Sequence, residues 1–216
     1  MAVFPKYFDG ADKIQLIISY LIRLALVVAI GEAVFVQEWV ALFVSFLILL
    51  LTFIPAFMYR NFKIHLPIEL ELTTVVFVYA AIFLGMVRDY YVQVWWWDIL
   101  VHAMLGIVMG FAGFLILFML YHRNKVKASP FMIAIFSFCF AVAIGALWEI
   151  VEFFMDEAFG LNMQKSGLVD TMWDIIVDVG GAFLASAIGY FYIKGGSPRL
   201  VNRIVQKFLL QNPRFK

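Results

Sequence analysis

Seven acidic residues and one histidine interrupt otherwise apolar stretches of this chain: Asp98 and His102, then Glu149, Glu152 and Asp156, then Asp170, Asp174 and Asp178. Their spacings are i and i+4, then i, i+3 and i+7, then i, i+4 and i+8. Each set therefore traces one face of a helix. An ionisable group inside a bilayer is costly, so a carboxylate there marks a functional site by default. Carboxylates gathered at close range disfavour one another's charge, and protons, basic side chains or a metal must neutralise them. Oxygen-rich ligation suits Mg, Ca or Mn, and one imidazole among carboxylates also admits Mn, Fe or Zn. A metal held there would polarise a phosphoryl oxygen or activate water, with a free carboxylate such as Glu152 as the base. The same carboxylates could instead line a cation or proton path.

Basic partners are few. Arg23 falls in the middle of the first apolar run and Arg88 at the end of the third. Both are candidates to receive a phosphate group, and two guanidinium groups cannot balance so many carboxylates. The expected ligand set is therefore Asp98, His102, Glu149, Glu152, Asp170, Asp174 and Asp178 around a divalent metal (Mg, Mn, Ca or Zn). Catalytic roles fall to Glu152, Arg23 and Arg88. The competing reading is structural. The polar groups can hydrogen-bond across helices, Asp98 and Asp156 can sit at the membrane interface, and Asp170 can be an N-cap.

The elements that must position these residues are membrane helices. Of 216 residues, 65% are hydrophobic and 14% charged, and the mean hydropathy is +0.96, beyond the range of a soluble domain. Six apolar runs, 14–34, 39–58, 70–87, 98–121, 130–155 and 170–193, each reach the roughly 20 residues that cross a bilayer. The first is not read as a signal peptide: Lys6, Asp9, Asp12 and Lys13 precede it and no small-residue cleavage site follows. The expected architecture is an all-α, polytopic bundle of six transmembrane helices spanning residues 1–197. A basic tail, 198–216, completes it.

Lys and Arg set the orientation. Lys6, Lys13, Arg60, Lys63, Arg123, Lys125, Lys127 and the cluster from Lys194 to Lys216 flank alternate ends of the runs. This predicts that both termini are cytoplasmic, in a bacterial or archaeal cytoplasmic membrane. All three acidic stripes then fall in the outer half of the bilayer, with Asp174 and Asp178 about 6 and 12 Å beyond Asp170 at roughly 1.5 Å per residue. Below Asp178 the sixth run continues Val-Gly-Gly-Ala-Phe-Leu-Ala, so the polar path stops midway. That favours a one-sided site over a transport path.

Other features read as anchoring and packing. Gly106, Gly110, Gly113, Gly180, Gly181, Ala182 and Ala185 suit close helix approach. Tyr90, Tyr91 and Trp95–Trp97 suit an interfacial belt. Pro55 is expected to kink the second helix near its end. Glu69 and Glu71 begin the third, where acids favour the helix dipole. Cys139 has no thiol partner in the sequence. Residues 198–211 form a basic amphipathic stretch expected to lie along the inner leaflet on anionic headgroups.

The run from Asp98 through His102 to Gly106, the segment Trp148-Glu149-x-x-Glu152, and Asp170-Thr171-x-Trp173-Asp174 together resemble the pattern of YjdF-type bacterial inner-membrane proteins. The resemblance covers roughly residues 95–190 and implies a multi-span inner-membrane protein with a shared polar site; it implies no particular reaction. Asp170-x3-Asp174-x3-Asp178 is also similar in spacing to the aspartate-rich motifs of membrane prenyltransferases and CDP-alcohol phosphotransferases. That likeness implies a divalent metal bridging diphosphate groups. The expected function is thus a metal-binding membrane protein, read as a metal-dependent hydrolase or transferase acting on a lipid or lipid-linked phosphate. The alternative is a small cation- or proton-coupled transporter. Membrane lipids are the expected partners, and no nucleic-acid module is present.

Overall fold

Alternating apolar runs and short polar breaks fold into helices joined by tight connections. A computed structural model describes residues 10–160, 162–196 and 199–213; Lys6, Asp9, Pro198, Arg214 and Lys216, used above, lie outside the described residues. The helices are α1 (Gly10–Phe35), α2 (Trp39–Leu51), α3 (Ile54–Phe62), α4 (Ile68–Val78), α5 (Tyr90–Gln93), α6 (Trp97–His122), α7 (Pro130–Phe159), α8 (Leu168–Ile193) and α9 (Arg199–Gln211). A π-helical segment, Tyr79–Val87, continues α4 without a break. Among the described residues five helices, with α4 and the π segment counted as one, are long and apolar enough to cross a membrane, and a sixth span results if α2 and α3 act as one. The all-helical, multi-span architecture agrees with the sequence reading.

The second span is bent by 43°. The break falls at Thr52 and Phe53, and Pro55 sits in the first turn of α3, where its missing N–H costs nothing. The proline thus begins a new helix rather than kinking a continuous one. The Thr52 hydroxyl turns back to donate to the Leu49 carbonyl at 2.7 Å.

The chain separates into two compact units: residues up to Trp95 together with those from Arg203 onward, and Trp96–Asn202. In the first unit α1, α2, α4 and the π segment pack around Leu26, Ala29, Ile48 and Phe83. Two of its arginines are paired with acids. Arg23 donates to Glu71 at 3.0 Å and to the Thr52 carbonyl at 2.8 Å, with Phe53 beneath its guanidinium. Arg88 meets Glu32 at 3.1 Å.

α9 departs from its expected place. Its apolar residues Ile204, Val205, Phe208 and Leu209 are buried in protein rather than offered to a leaflet. On its other residues, Arg203 and Lys207 close on Asp12 and Glu69, with Arg203–Glu69 at 3.0 Å and Lys207–Glu69 at 2.8 Å. Asn212 then clasps the His65 backbone by two hydrogen bonds of 2.7 Å. Glu69 and Glu71, given only a dipole role from the sequence, thus each hold a basic side chain.

The second unit is a three-helix bundle of α6, α7 and α8, each packed on the other two. Ser129 caps α7 by accepting from the Met132 N–H, followed by Pro130 at the first helical position. Gly160, at φ 65°, ends α7. Many of the bundle's large apolar residues face outward, among them Leu147, Ile150, Phe183 and Ile188. Its polar residues His102, Ser137, Glu149, Glu152, Asp174 and Asp178, by contrast, are buried. A water-soluble bundle shows the opposite arrangement.

Candidate metal centre

The starting end of α6, the finishing end of α7 and the starting end of α8 meet at one end of the bundle, and the three polar stripes meet there. Two close approaches allow it. A Cβ on Gly181 would come within 2.6 Å of the Ala103 carbonyl, and one on Gly106 would collide with the main-chain carbonyl of Asp178. Bare backbone on both helices lets α6 and α8 touch. Gly145 on α7 plays a related part, since a side chain there would occupy the position of the Asp178 carboxylate.

His102 occupies the middle, 3% exposed. Nε2 faces Asp98 Oδ1 at 3.7 Å and Asp174 Oδ1 at 3.9 Å. Nδ1 faces Asp178 Oδ2 at 3.5 Å and Glu149 Oε1 at 3.9 Å. The imidazole thus stands between two pairs of carboxylates, one pair at each ring nitrogen. One ligand atom each from Asp98, His102 and Asp174 lies within 4.8 Å of the others. A cation held at about 2.0–2.6 Å from each could span them with small side-chain adjustments.

The geometry also suggests a tautomer. If Nδ1 carries the proton and shares it with Asp178, Nε2 turns a lone pair toward the point that Asp98 and Asp174 face. That is the posture of a metal-binding histidine oriented by a carboxylate behind it. Without a cation, a lone pair and two carboxylates would converge in a buried place.

Glu149 strengthens the case. Its carboxylate is 4% exposed and neither oxygen has a hydrogen-bond partner of normal geometry, nor does Asp178 Oδ1. The Thr171 hydroxyl accepts from the Gln164 amide at 2.7 Å and keeps its own proton to offer Glu149, so Asp178 Oδ1 and the rest of the Glu149 carboxylate are what lack a donor. A buried acceptor without a donor is expensive, so this pocket is short of positive charge or protons.

The remaining candidates fall around this core. Glu152 is buried and accepts from Trp148 Nε1 at 2.8 Å. Asp170 is half-buried in the first turn of α8, but Gly167 occupies the N-cap position. The N-cap role expected for Asp170 is therefore not the one it takes, and its charge instead serves the helix dipole. Asp156 accepts from the Met163 and Gln164 N–H groups at 2.7 and 2.9 Å, folding the connection between α7 and α8. That structural task competes with ligation, as the sequence allowed. Arg23 and Arg88 lie in the first unit with carboxylate partners of their own.

Sequence reasoning assigned no role to Lys165. Its ammonium pairs with Asp98, the most exposed member of the cluster. The signal was present in the short connection between two helices that both carry acids, but Lys165 lies 67 positions from Asp98, and no spacing rule reaches that far. Trp148 was quoted as part of a motif without a role, and its indole N–H now has one.

A family profile described as "Predicted membrane protein (DUF2238)" matches residues 14–195. An uncharacterised protein of Thermotoga maritima is 28% identical over 127 residues, which cover 56% of this chain and 61% of that protein; the chain thus spans less than two thirds of that relative. No solved structure matches.

Proposed function

We propose that this chain, which belongs to the DUF2238 family of predicted membrane proteins, is a multi-pass membrane protein that holds a divalent cation on Asp98, His102 and Asp174. The observation that carries this reading is the imidazole set between two carboxylate pairs, with a buried Asp178 oxygen left without a donor and a buried Glu149 carboxylate offered only the Thr171 hydroxyl. Asp178 orients the ring through Nδ1. The resemblance of roughly residues 95–190 to YjdF-type inner-membrane proteins supports the same assignment and, with it, a cytoplasmic membrane as the proposed location.

The chemistry that follows is hydrolysis or transfer at a lipid or lipid-linked phosphate. A bound cation would polarise a phosphoryl oxygen or lower the pKa of a water. Glu152, fixed by Trp148, is in position to take a proton as base. Lys165 can leave Asp98 and meet an anionic substrate group once a cation takes its place. Lys165 is the candidate for phosphate because its partner, Asp98, is itself one of the proposed ligands.

Transport is the second reading, because the same carboxylates could pass a cation or proton. Against it stands the α6–α8 seam beyond Asp178, where Gly106 and Gly181 bring backbone against backbone. Analysis of metal in purified protein separates these possibilities. Near-stoichiometric metal, lost in Asp174→Asn and His102→Ala but kept in Glu157→Gln, supports the centre. Metal that survives the first two changes places the site elsewhere. Cation uptake into vesicles bearing the protein favours transport.

A further inference from the structure

The first unit holds an open groove with one polar end. α1 supplies Leu21, Leu24 and Val28 to its wall, and the π segment supplies Phe83 and Leu84; its volume is about 680 Å³. Small-molecule sites commonly run to roughly 300–1,000 Å³. Glu32, Arg88, Tyr90 and Gln93 also line it. Arg88 Nη2 meets Glu32 Oε2 at 3.1 Å, and both side chains are about half exposed, 48% and 57%.

The backbone beside the groove is unusual. π-helix occurs mostly as single-turn bulges, frequently at functional sites, whereas Tyr79–Val87 runs for nine residues. The segment sets Tyr79 and Phe83 in a stack with centroids 5.1 Å apart and places Phe83 beneath the Arg88 guanidinium at 5.5 Å. Aromatic surface thus leads directly to the cation.

In a multi-pass membrane protein an open apolar wall meets acyl chains. The polar end selects among the lipids that carry them. A lone arginine would favour any anionic headgroup, but Glu32 beside Arg88 cancels its charge and repels an anion that brings no cation. An adjacent cation and anion are complementary to a headgroup that itself carries a phosphate and an ammonium. Exposed ion pairs contribute little to stability, so this one opens readily to an incoming headgroup.

We infer that the groove between α1 and the π segment is a binding site for a phospholipid with an amine-bearing headgroup. One acyl chain lies along Leu24, Val28 and Phe83, its phosphate on Arg88 and its ammonium on Glu32. This site is separate from the metal centre and stands or falls independently of it.

The test equilibrates the purified protein in mild detergent with equal amounts of dioleoyl phosphatidylethanolamine and dioleoyl phosphatidylglycerol, and reads retained lipid by native mass spectrometry. Wild-type protein should retain the ethanolamine lipid several-fold over the glycerol lipid. Glu32→Gln should abolish that preference while keeping the glycerol lipid, and Arg88→Gln should reduce both several-fold. Leu24→Trp fills the groove and should reduce both without touching the charges. Should that variant not fold, the two half-exposed polar changes decide alone. Equal retention of both lipids by the wild type overturns the inference. So does a preference that persists in Glu32→Gln and Arg88→Gln. Full displacement by soluble phosphoethanolamine would likewise overturn it, since the acyl chain would then contribute nothing.

Discussion

At the scale of single residues, His102 governs the site because both of its ring nitrogens face acids. Asp98 and Asp174 share the Nε2 side, and Asp178 and Glu149 share the Nδ1 side. The two sides predict different mutants. On the proposed ligand set of Asp98, His102 and Asp174, Asp174→Asn removes a ligand and should abolish measurable metal. Asp178→Asn leaves all three ligands but loosens the ring, and should weaken binding by about 10–100-fold. Titration of metal-free protein with zinc or manganese distinguishes them, and equal losses in both would show Asp178 to be a ligand itself. Lys165 gives a prediction of opposite sign. Its ammonium competes with a cation for Asp98, so Lys165→Met should tighten metal binding several-fold in the same titration. Weaker binding in that variant would assign Lys165 to holding the site together.

At the scale of helices, the site depends on the contact of α6 with α8. Gly106→Leu forces a side chain against the Asp178 main chain. Overpacking of this kind costs about 1–3 kcal/mol or more, and here it would also displace Asp178 from His102. A lowered unfolding midpoint together with lost metal is expected; Gly180→Ala, at a glycine with open space around it, should change neither. α9 makes a separate prediction. Burial alone would lower the Lys207 pKa, but the Asp12 and Glu69 carboxylates outweigh it and hold the pKa above the ordinary 10.5. A raised folded-state pKa means that this contribution to stability is fully present below that ordinary value of 10.5, taken as the unfolded one. It fades as pH rises through the higher folded value. Docking of α9, followed by protease access near Arg199, should therefore be constant from pH 6 to 9 and loosen only in stronger alkali. Loosening already at pH 8 would show that the Lys207 contacts do not hold the helix.

At the scale of the molecule, the open question is orientation. The Lys and Arg bias predicts both termini in the cytoplasm and the proposed metal centre in the outer half of the bilayer. Reporter fusions after Lys127 and Lys194 should read cytoplasmic, and one at Lys165 should read the opposite side. A cytoplasmic reading at Lys165 would put the centre on the inner side, within reach of nucleotide-linked substrates.

The sequence by itself determined the class and the ingredients. Hydropathy marked the runs because about 20 apolar residues are what a bilayer requires, a local property of each segment. Helical periodicity placed Glu149 and Glu152 on one face and Asp174 and Asp178 on another, because residues three and four apart share a face. Tertiary structure decided everything that links one helix to another. It chose which nitrogen of His102 meets which acid, set Lys165 against Asp98, and left Asp178 Oδ1 without a donor. It also turned the apolar face of α9 into protein rather than lipid, since an amphipathic pattern records only that one face avoids water. Periodicity acts within a helix, whereas those pairings depend on the angle and separation of two helices. Those were set by glycine contacts such as Gly106 against Asp178, whose partners lie 72 positions apart in the sequence.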